Sequence, residues 1–100
     1  MFIAMNRFCI APGFEDSFVQ MWRERDSRLQ DVPGFRQFNL LRGESRPEAT
    51  IFISHSTWES RQAFLDWTES DAFKQAHAQA RAPEGTYLGP PQFEGYEVAL

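Results

Sequence analysis

Two segments of this chain alternate as strands do but carry apolar side chains on both faces, and they constrain the fold more than any other feature. In FIAMNRFCI (2–10), one face holds Phe2, Ala4, Asn6, Phe8 and Ile10, and the other holds Ile3, Met5, Arg7 and Cys9. TIFISHST (50–57) is also apolar on both faces and is rich in β-branched residues. Such strands are buried on two sides, so each face of their sheet requires a cover.

The remaining segments predict helices and two further strands. Phe14, Phe18, Met21, Trp22, Arg25 and Leu29 follow a helical spacing, which predicts a helix over 14–30 that ends at Val32-Pro33-Gly34. FRQFNLLR (35–42) predicts the second strand, joined to the third by a turn at 43–48.

The second half of the chain predicts a divided helix and a last strand. The helix begins near 58–60, where either Ser60 or a Ser56–Glu59 capping box could cap it. Ser70-Asp71 resembles a new N-cap and predicts a break at 68–70 with a second helical segment over 71–81. A strand at 92–99 closes the chain.

The order β-α-β-β-α-β predicts one ferredoxin-like α+β domain over residues 1–100, with a four-stranded antiparallel sheet and helices on one face. The helices can cover only one face of this sheet, and an exposed apolar sheet is prone to aggregate. The simplest cover for the second face is another copy of the chain. We therefore expect a two-fold homodimer packed sheet to sheet.

Composition argues against several classes of function. The net charge is −4 and no basic run is present, so nucleic acid is not an expected partner. No apolar run approaches the roughly 20 residues of a membrane span, and the N-terminus lacks the features of a signal peptide. One cysteine, Cys9, fits a reducing, cytoplasmic compartment, and we expect it to be a small core residue. With only two histidines, a structural zinc site is not expected.

His77 lies on the apolar side of the 71–81 segment, with Phe73, Ala76 and Ala80. It could be a core histidine bonded to a carbonyl such as that of Phe73. Alternatively, it could be an axial ligand of haem iron, for which neutral imidazole is the usual nitrogen donor. The small neighbouring residues would leave room for a flat, bulky group. The other histidine, His55, is expected to be structural or interfacial.

Two further residues are unusual for their positions. Asn6 lies in the middle of an apolar strand face, where an unpaired amide costs about 1–3 kcal/mol. It is either a satisfied structural group or part of a site. Trp67 is either ordinary core packing or part of the same site.

RQAFLDWTESDAFKQAHAQAR (61–81) contains a Trp followed by the pattern SD-x-F-K-x-x-H. The segment resembles the IsdG-like haem-degrading monooxygenases of the antibiotic biosynthesis monooxygenase superfamily. AMNRF (4–8), GF (34–35) and TWES (57–60) support the resemblance, which spans roughly residues 3–82. The family's Asn, Trp and His fall on Asn6, Trp67 and His77.

The resemblance implies haem oxygenase activity in a dimeric α/β barrel. His77 Nε2 would be the axial ligand of the haem iron, and Asn6 would donate its side-chain N–H to the oxygen species on the opposite side of the haem. Trp67 would press on the porphyrin and ruffle it. Haem would be both cofactor and substrate, opened with O2 and electrons from an unidentified reductase, with release of iron.

The resemblance also suggests how the rest of the pocket is built. Its walls would come from some of Phe8, Phe18, Met21, Trp22, Phe64 and Phe73. The candidates for binding the haem propionates are Arg23, Arg25 and Arg28, and the 82–92 loop would border the opening. Two alternatives stay open: a cofactor-free monooxygenase acting on a quinone or polyphenol, and a non-catalytic haem-binding dimer.

Overall fold

The computed structural model describes residues 1–25, 28–79 and 81–100. Its strands are β1 (Phe2–Ile10), β2 (Phe35–Ser45), β3 (Thr50–Trp58) and β4 (Gln92–Glu97). Its helices are α1 (Glu15–Glu24), α2 (Arg61–Thr68) and α3 (Asp71–Gln79), with a short 3-10 helix at Leu29–Asp31. Within these ranges, none of the helices combines the length and the apolar character that crossing a membrane requires.

The four strands form one antiparallel sheet in the order β2-β3-β1-β4. The first and third strands are therefore central, and α1 and the α2–α3 pair make the two crossovers. This arrangement confirms the predicted ferredoxin-like fold with a four-stranded antiparallel sheet.

The two central strands alternate between a covered and an uncovered face. On β3 the residues at 50, 52, 54, 56 and 58 are buried, whereas those at 51, 53, 55 and 57 are only half-buried. We call the uncovered side the outer face. From the pairing register its apolar residues are Ile3, Met5, Cys9, Leu41, Ile51, Ile53 and Tyr96, and its polar residues are Arg7, Gln37, Asn39, His55, Thr57, Gln92 and Glu94. Cys9 is half-buried on this face, so the prediction that it is a core residue was wrong.

The hydrophobic core on the covered face consists of two clusters rather than one. The first contains Phe2, Ala4, Leu29 and Trp58, with Phe64 and Trp67 packed against it. The second contains Phe8, Ile10, Phe18 and Phe52, with Met21 and Trp22 packed against it. The two clusters lie at opposite ends of β1, and the position between them is Asn6.

The predicted helix over 14–30 was wrong in its second half. The α1 helix ends at Glu24, because Arg25 is extended (φ −72°, ψ 122°) and donates its N–H to Trp22 O. Arg28 then takes a left-handed conformation with φ 50° before the 3-10 helix. Leu29 is thereby buried in the first cluster, at 8% exposure. The predicted helical positions 26 and 27 lie outside the described residues.

The predicted breaks around α2 are confirmed. Ala63 N–H donates to Ser60 Oγ at 3.1 Å, so the cap is Ser60 and not the capping box at 56–59. Ser70 caps α3 in the same way, with Phe73 N–H donating to its Oγ at 3.2 Å.

Three predicted element ends are shifted in the structure. The β2 strand continues to Ser45, beyond the predicted end at 42, and the turn is closed by Arg46 N–H donating to Ala49 O at 3.0 Å. The last strand ends at Glu97 instead of 99. Gln79 is the last helical residue of α3; Ala80 lies outside the described residues, and Arg81 is not helical.

Candidate active site

A cavity of about 820 Å³ lies between the sheet and the helices, where the two core clusters leave a gap. This volume is within the range of about 300–1,000 Å³ that is usual for small-molecule and cofactor sites. The aromatic side chains that line it are Phe8, Trp22, Phe38, Phe64, Trp67, Phe73, Tyr87 and Phe93. The cavity is thus suited to a flat apolar ligand.

The floor of the cavity is the middle of the two central strands. Asn6 of β1 and Ser54 of β3 are register partners, so their side chains lie next to each other on the covered face. Both line the cavity, and neither side chain has a hydrogen-bond partner among the described residues. Asn6 is therefore not a satisfied structural amide within this chain; its amide is available to a ligand.

The opposite wall is the α3 helix, which carries His77. Its Nδ1 lies 3.0 Å from Phe73 O, one helical turn earlier, and its ring centroid is 3.9 Å from that of Phe73. The ring is exposed and lines the cavity, whereas the neighbouring Ala76 is fully buried. His77 thus makes the carbonyl contact expected of a core histidine without being in the core.

Arg25 is the second group that contacts the His77 ring. Its Nη2 lies 3.1 Å from His77 Nδ1, and its guanidinium carbon lies 4.6 Å from the centre of the Trp22 ring. A guanidinium can only donate, whereas the Phe73 carbonyl can only accept. The two contacts therefore require opposite tautomers: Nδ1–H donates to Phe73, or an unprotonated Nδ1 accepts from Arg25.

The electrostatics of this corner favour a neutral imidazole. Partial burial lowers the pKa of His77, the positive charge of Arg25 lowers it further, and the hydrogen bond to Phe73 O opposes both effects. Burial also lowers the pKa of Arg25 and raises the pKa of Tyr87; the charge of Arg25 opposes the rise at Tyr87. The cavity thus presents a histidine whose neutral form is favoured, beside the half-buried guanidinium of Arg25.

Trp67 of α2 is held by other aromatic rings. Its ring centroid is 5.4 Å from that of Trp58 and 4.8 Å from that of Phe73, the latter in an edge-on arrangement. Its indole Nε1 is buried without a partner in the described part of the chain, as are Trp22 Nε1 and Arg25 Nε. Buried unpaired donors are uncommon, and these three belong to residues that line the cavity.

The structure brings Asn6, Trp67 and His77 to one cavity, although they come from three different elements. Of the predicted wall residues, Phe8, Trp22, Phe64 and Phe73 line it; Phe18 and Met21 instead pack in the second core cluster. The loop at 82–92 contributes Tyr87 and Pro91.

The three candidate arginines lie in different places. Arg25 lines the cavity, and Arg23 Nη1 donates to Gln20 Oε1 at 3.3 Å on the exposed side of α1. Arg28 lines a separate cleft of about 640 Å³ beside α2. Only one of the three candidates therefore borders the site.

The sequence analysis did not identify Ser54 and Tyr87 as site residues. The signal for Ser54 was available, because the period of β3 puts it on the same face as Phe52 and next to the strand that carries Asn6. Tyr87 had no such signal, since its place in the cavity wall depends on its isolated bridge with Ile10.

Comparison with known proteins gives matches along most of the chain. The sequence profile of the antibiotic biosynthesis monooxygenase family matches residues 1–79. A haem oxygenase (staphylobilin-producing) from Staphylococcus haemolyticus is 27% identical over 77 residues, which make up 77% of this chain and 73% of that protein.

Two solved structures show how far the fold similarity extends. MhuD, a haem degrader from Mycobacterium tuberculosis with two haems bound in its active site, has a TM-score of 0.77 and 27% identity, over 100% of this chain and 97% of that one. SnoaB, a cofactor-independent oxygenase from Streptomyces nogalater, has a TM-score of 0.69 and 17% identity, over 99% of this chain and 93% of that one. The second likeness concerns the fold alone, whereas the first supports the resemblance found in residues 61–81.

Proposed function

This chain belongs to the antibiotic biosynthesis monooxygenase family, and on that premise we propose that it is a haem-degrading monooxygenase. Haem would be both cofactor and substrate, O2 would be the co-substrate, and an external reductase would supply the electrons. It is supported by the two relatives at 27% identity, one a haem oxygenase and the other a haem degrader.

The observation that carries the proposal is the contact between His77 Nδ1 and Phe73 O, at 3.0 Å. When Nδ1–H donates to this carbonyl, the lone pair of Nε2 is free to coordinate a metal, which is how metal-binding histidines are usually oriented. The lowered pKa of His77 favours the neutral ring, which is the form that can coordinate a metal. His77 would therefore hold the haem iron.

The other cavity residues fit a haem group. The aromatic walls match the apolar faces of a porphyrin, and the volume of about 820 Å³ is sufficient for a large cofactor. Arg25 is the candidate for a propionate carboxylate, because its Nε is buried and has no partner among the described residues. Arg23 and Arg28 do not line this cavity.

The bound haem would supply the redox chemistry, and the protein would orient and distort it. Asn6, on the floor opposite His77, would direct an amide N–H into the space where O2 reacts. Trp67 is fixed between Trp58 and Phe73 and would press on the porphyrin. The aromatic walls would exclude water from the reacting carbon.

We further propose that the chain is a single domain that works as a cytoplasmic homodimer through its outer face. Apolar residues of all four strands occupy this face, including Leu41 at 43% and Tyr96 at 51% exposure. Exposed apolar area of this kind on a sheet is typical of an interface.

The test is a haemin titration of the purified protein, followed by addition of a reductant in air. We expect a Soret band that saturates at one haem per chain and then decays, with a tetrapyrrole product detectable by mass spectrometry. His77→Ala should severely weaken binding, because it removes the residue that would hold the haem iron. His55→Ala is the matched control: this histidine lies on the outer face, and its loss should leave binding intact. Stable binding without decay would instead indicate a haem-binding dimer.

A second function, cofactor-free oxidation of a quinone or polyphenol, is favoured by one contact. If Arg25 Nη2 donates to His77 Nδ1 at 3.1 Å, the ring proton is on Nε2 and the histidine cannot coordinate iron. The cavity would then accept a flat aromatic substrate between the same walls. A protein that does not bind haemin but consumes O2 in the presence of a hydroquinone would establish this function.

A further inference from the structure

The pair formed by Asn6 and Ser54 interrupts the core at its centre. The two residues are register partners on adjacent strands, and the two hydrophobic clusters lie on either side of them. Ser54 is only 8% exposed, and the exposed part borders the cavity. A small polar side chain here leaves open a place that an aliphatic residue would fill with core contacts.

Ser56, two residues further along the same face, is bonded within the protein. Its Oγ donates to Ala4 O at 3.4 Å and accepts from Trp58 Nε1 at 2.9 Å. Ser54 Oγ has no hydrogen bond to any described residue. Ser54 Oγ is not among the buried unpaired side-chain atoms, so this hydroxyl opens into the cavity, and no hydrogen bond within the described part of the fold accounts for it.

We propose that Ser54 and Asn6 together form a two-point hydrogen-bonding site for the small oxygen-containing or anionic ligand that binds between the floor and the substrate. The inference rests on the proposed haem chemistry and adds a residue to it. The hydroxyl and the amide can each donate one hydrogen bond from adjacent strands, so a ligand between them is held in a fixed orientation. Ser54 is thus a further ligand-contacting residue of the active site.

Fluoride binding to the ferric haem complex tests this proposal without turnover. Fluoride is a compact anion that gains affinity from neighbouring hydrogen-bond donors. We expect Ser54→Ala to raise its Kd about tenfold, as for loss of a hydrogen bond to a charged group. Ser54→Thr keeps the hydroxyl and should restore most of the affinity. Asn6→Ala should weaken fluoride binding to a similar extent.

Ser56→Ala is the matched control, since Ser56 also lines the cavity from the same strand face but its hydroxyl is already bonded to Ala4 O and Trp58 Nε1. It should leave the Kd for fluoride unchanged and lower the Tm, because Trp58 Nε1 loses its acceptor. Ser54→Ala should not lower the Tm. If Ser54→Ala binds haem and fluoride as the wild type does, the role of Ser54 is wrong while the proposed function stands. If the wild-type protein binds no haem, the proposed function is wrong and this inference fails with it.

Discussion

His77 Nδ1 has two neighbours that require different protonation states, and this determines what the histidine can do. The contact to Phe73 O leaves Nε2 free for a metal, whereas the contact to Arg25 Nη2 blocks it. A propionate or other carboxylate that pairs with Arg25 would draw its guanidinium away from the ring. Ligand binding would in this way select the tautomer that coordinates iron.

The pKa of His77 should rise when Arg25 is replaced by glutamine. The charge of Arg25, 3.1 Å from Nδ1, is one of the two causes that lower this pKa. Without it, protonating the ring no longer places two positive charges together, so His77 becomes protonated at higher pH. NMR titration of the His77 ring in the haem-free protein measures the shift. Arg23→Gln should leave it unchanged, because Arg23 contacts Gln20 instead.

Trp67→Phe should keep haem bound but slow its degradation about tenfold, a loss of about 1.4 kcal/mol of transition-state stabilisation. The indole is fixed against Trp58 and Phe73, so it can press on a ligand without moving. The rate of Soret decay under reductant measures the effect. Trp22→Phe is the comparison, since Trp22 also lines the cavity with an unpaired Nε1. Equal slowing in both variants would contradict a specific role for Trp67.

At the scale of helices and strands, sequence patterns correctly predicted those features that depend on neighbouring residues. At the start of α2 the sequence offered two possible caps, and the structure has Ser60 in that role. The strand alternation, the cap at Ser70 and the break between α2 and α3 depend on residues within a few positions of each other. The end of α1 does not depend on neighbouring residues in this way. The helical spacing continues to Leu29, but Arg25 leaves the helix and contacts His77, 52 residues away in sequence. The helical spacing of apolar residues in the sequence cannot predict a contact between residues so far apart.

The candidate site was predictable only in part for the same reason. Asn6, Trp67 and His77 stood out as polar or bulky residues in unusual positions, and the family resemblance joined them. That they line one cavity follows from the sheet order and the helix crossovers. The competition for His77 Nδ1 and the place of Tyr87 depend on three-dimensional contacts between distant elements.

Gly34 determines how closely α2 approaches the start of β2. It has φ +81°, and a Cβ at this position would lie 2.5 Å from Ala63 Cβ. Gly13 has a similar φ of +90° but no heavy atom within 4 Å of the corresponding position. In both Gly→Ala variants the free energy of unfolding should fall by about 1–2 kcal/mol, because alanine is strained in the left-handed backbone conformation. In Gly34→Ala the free energy of unfolding should fall by about 1–3 kcal/mol more, because the new methyl group overpacks against Ala63. Urea unfolding measures both changes. Equal losses would exclude the contact with Ala63.

At the scale of the whole molecule, the sheet has two faces with different roles. The covered face is divided into two clusters and contains the cavity. The outer face also carries apolar residues from all four strands, but none of the described helices covers it. Because the cavity interrupts the covered face, burial of the outer face in a dimer would add apolar contacts that the covered face lacks.

Ile53→Glu should convert the proposed dimer to a monomer. Ile53 is on a central strand of the outer face, between Arg7 and Leu41 in the pairing register. A sheet-to-sheet interface would take this carboxylate out of water at a cost of several kcal/mol, which its neighbour Arg7 would offset only in part, whereas a monomer would leave it solvated. Sedimentation velocity measures the change in mass. Gln75→Glu adds the same charge on exposed α3 and should leave the dimer intact. A wild-type protein that sediments as a monomer, or an Ile53→Glu variant that stays dimeric, would show that the outer face is not the interface.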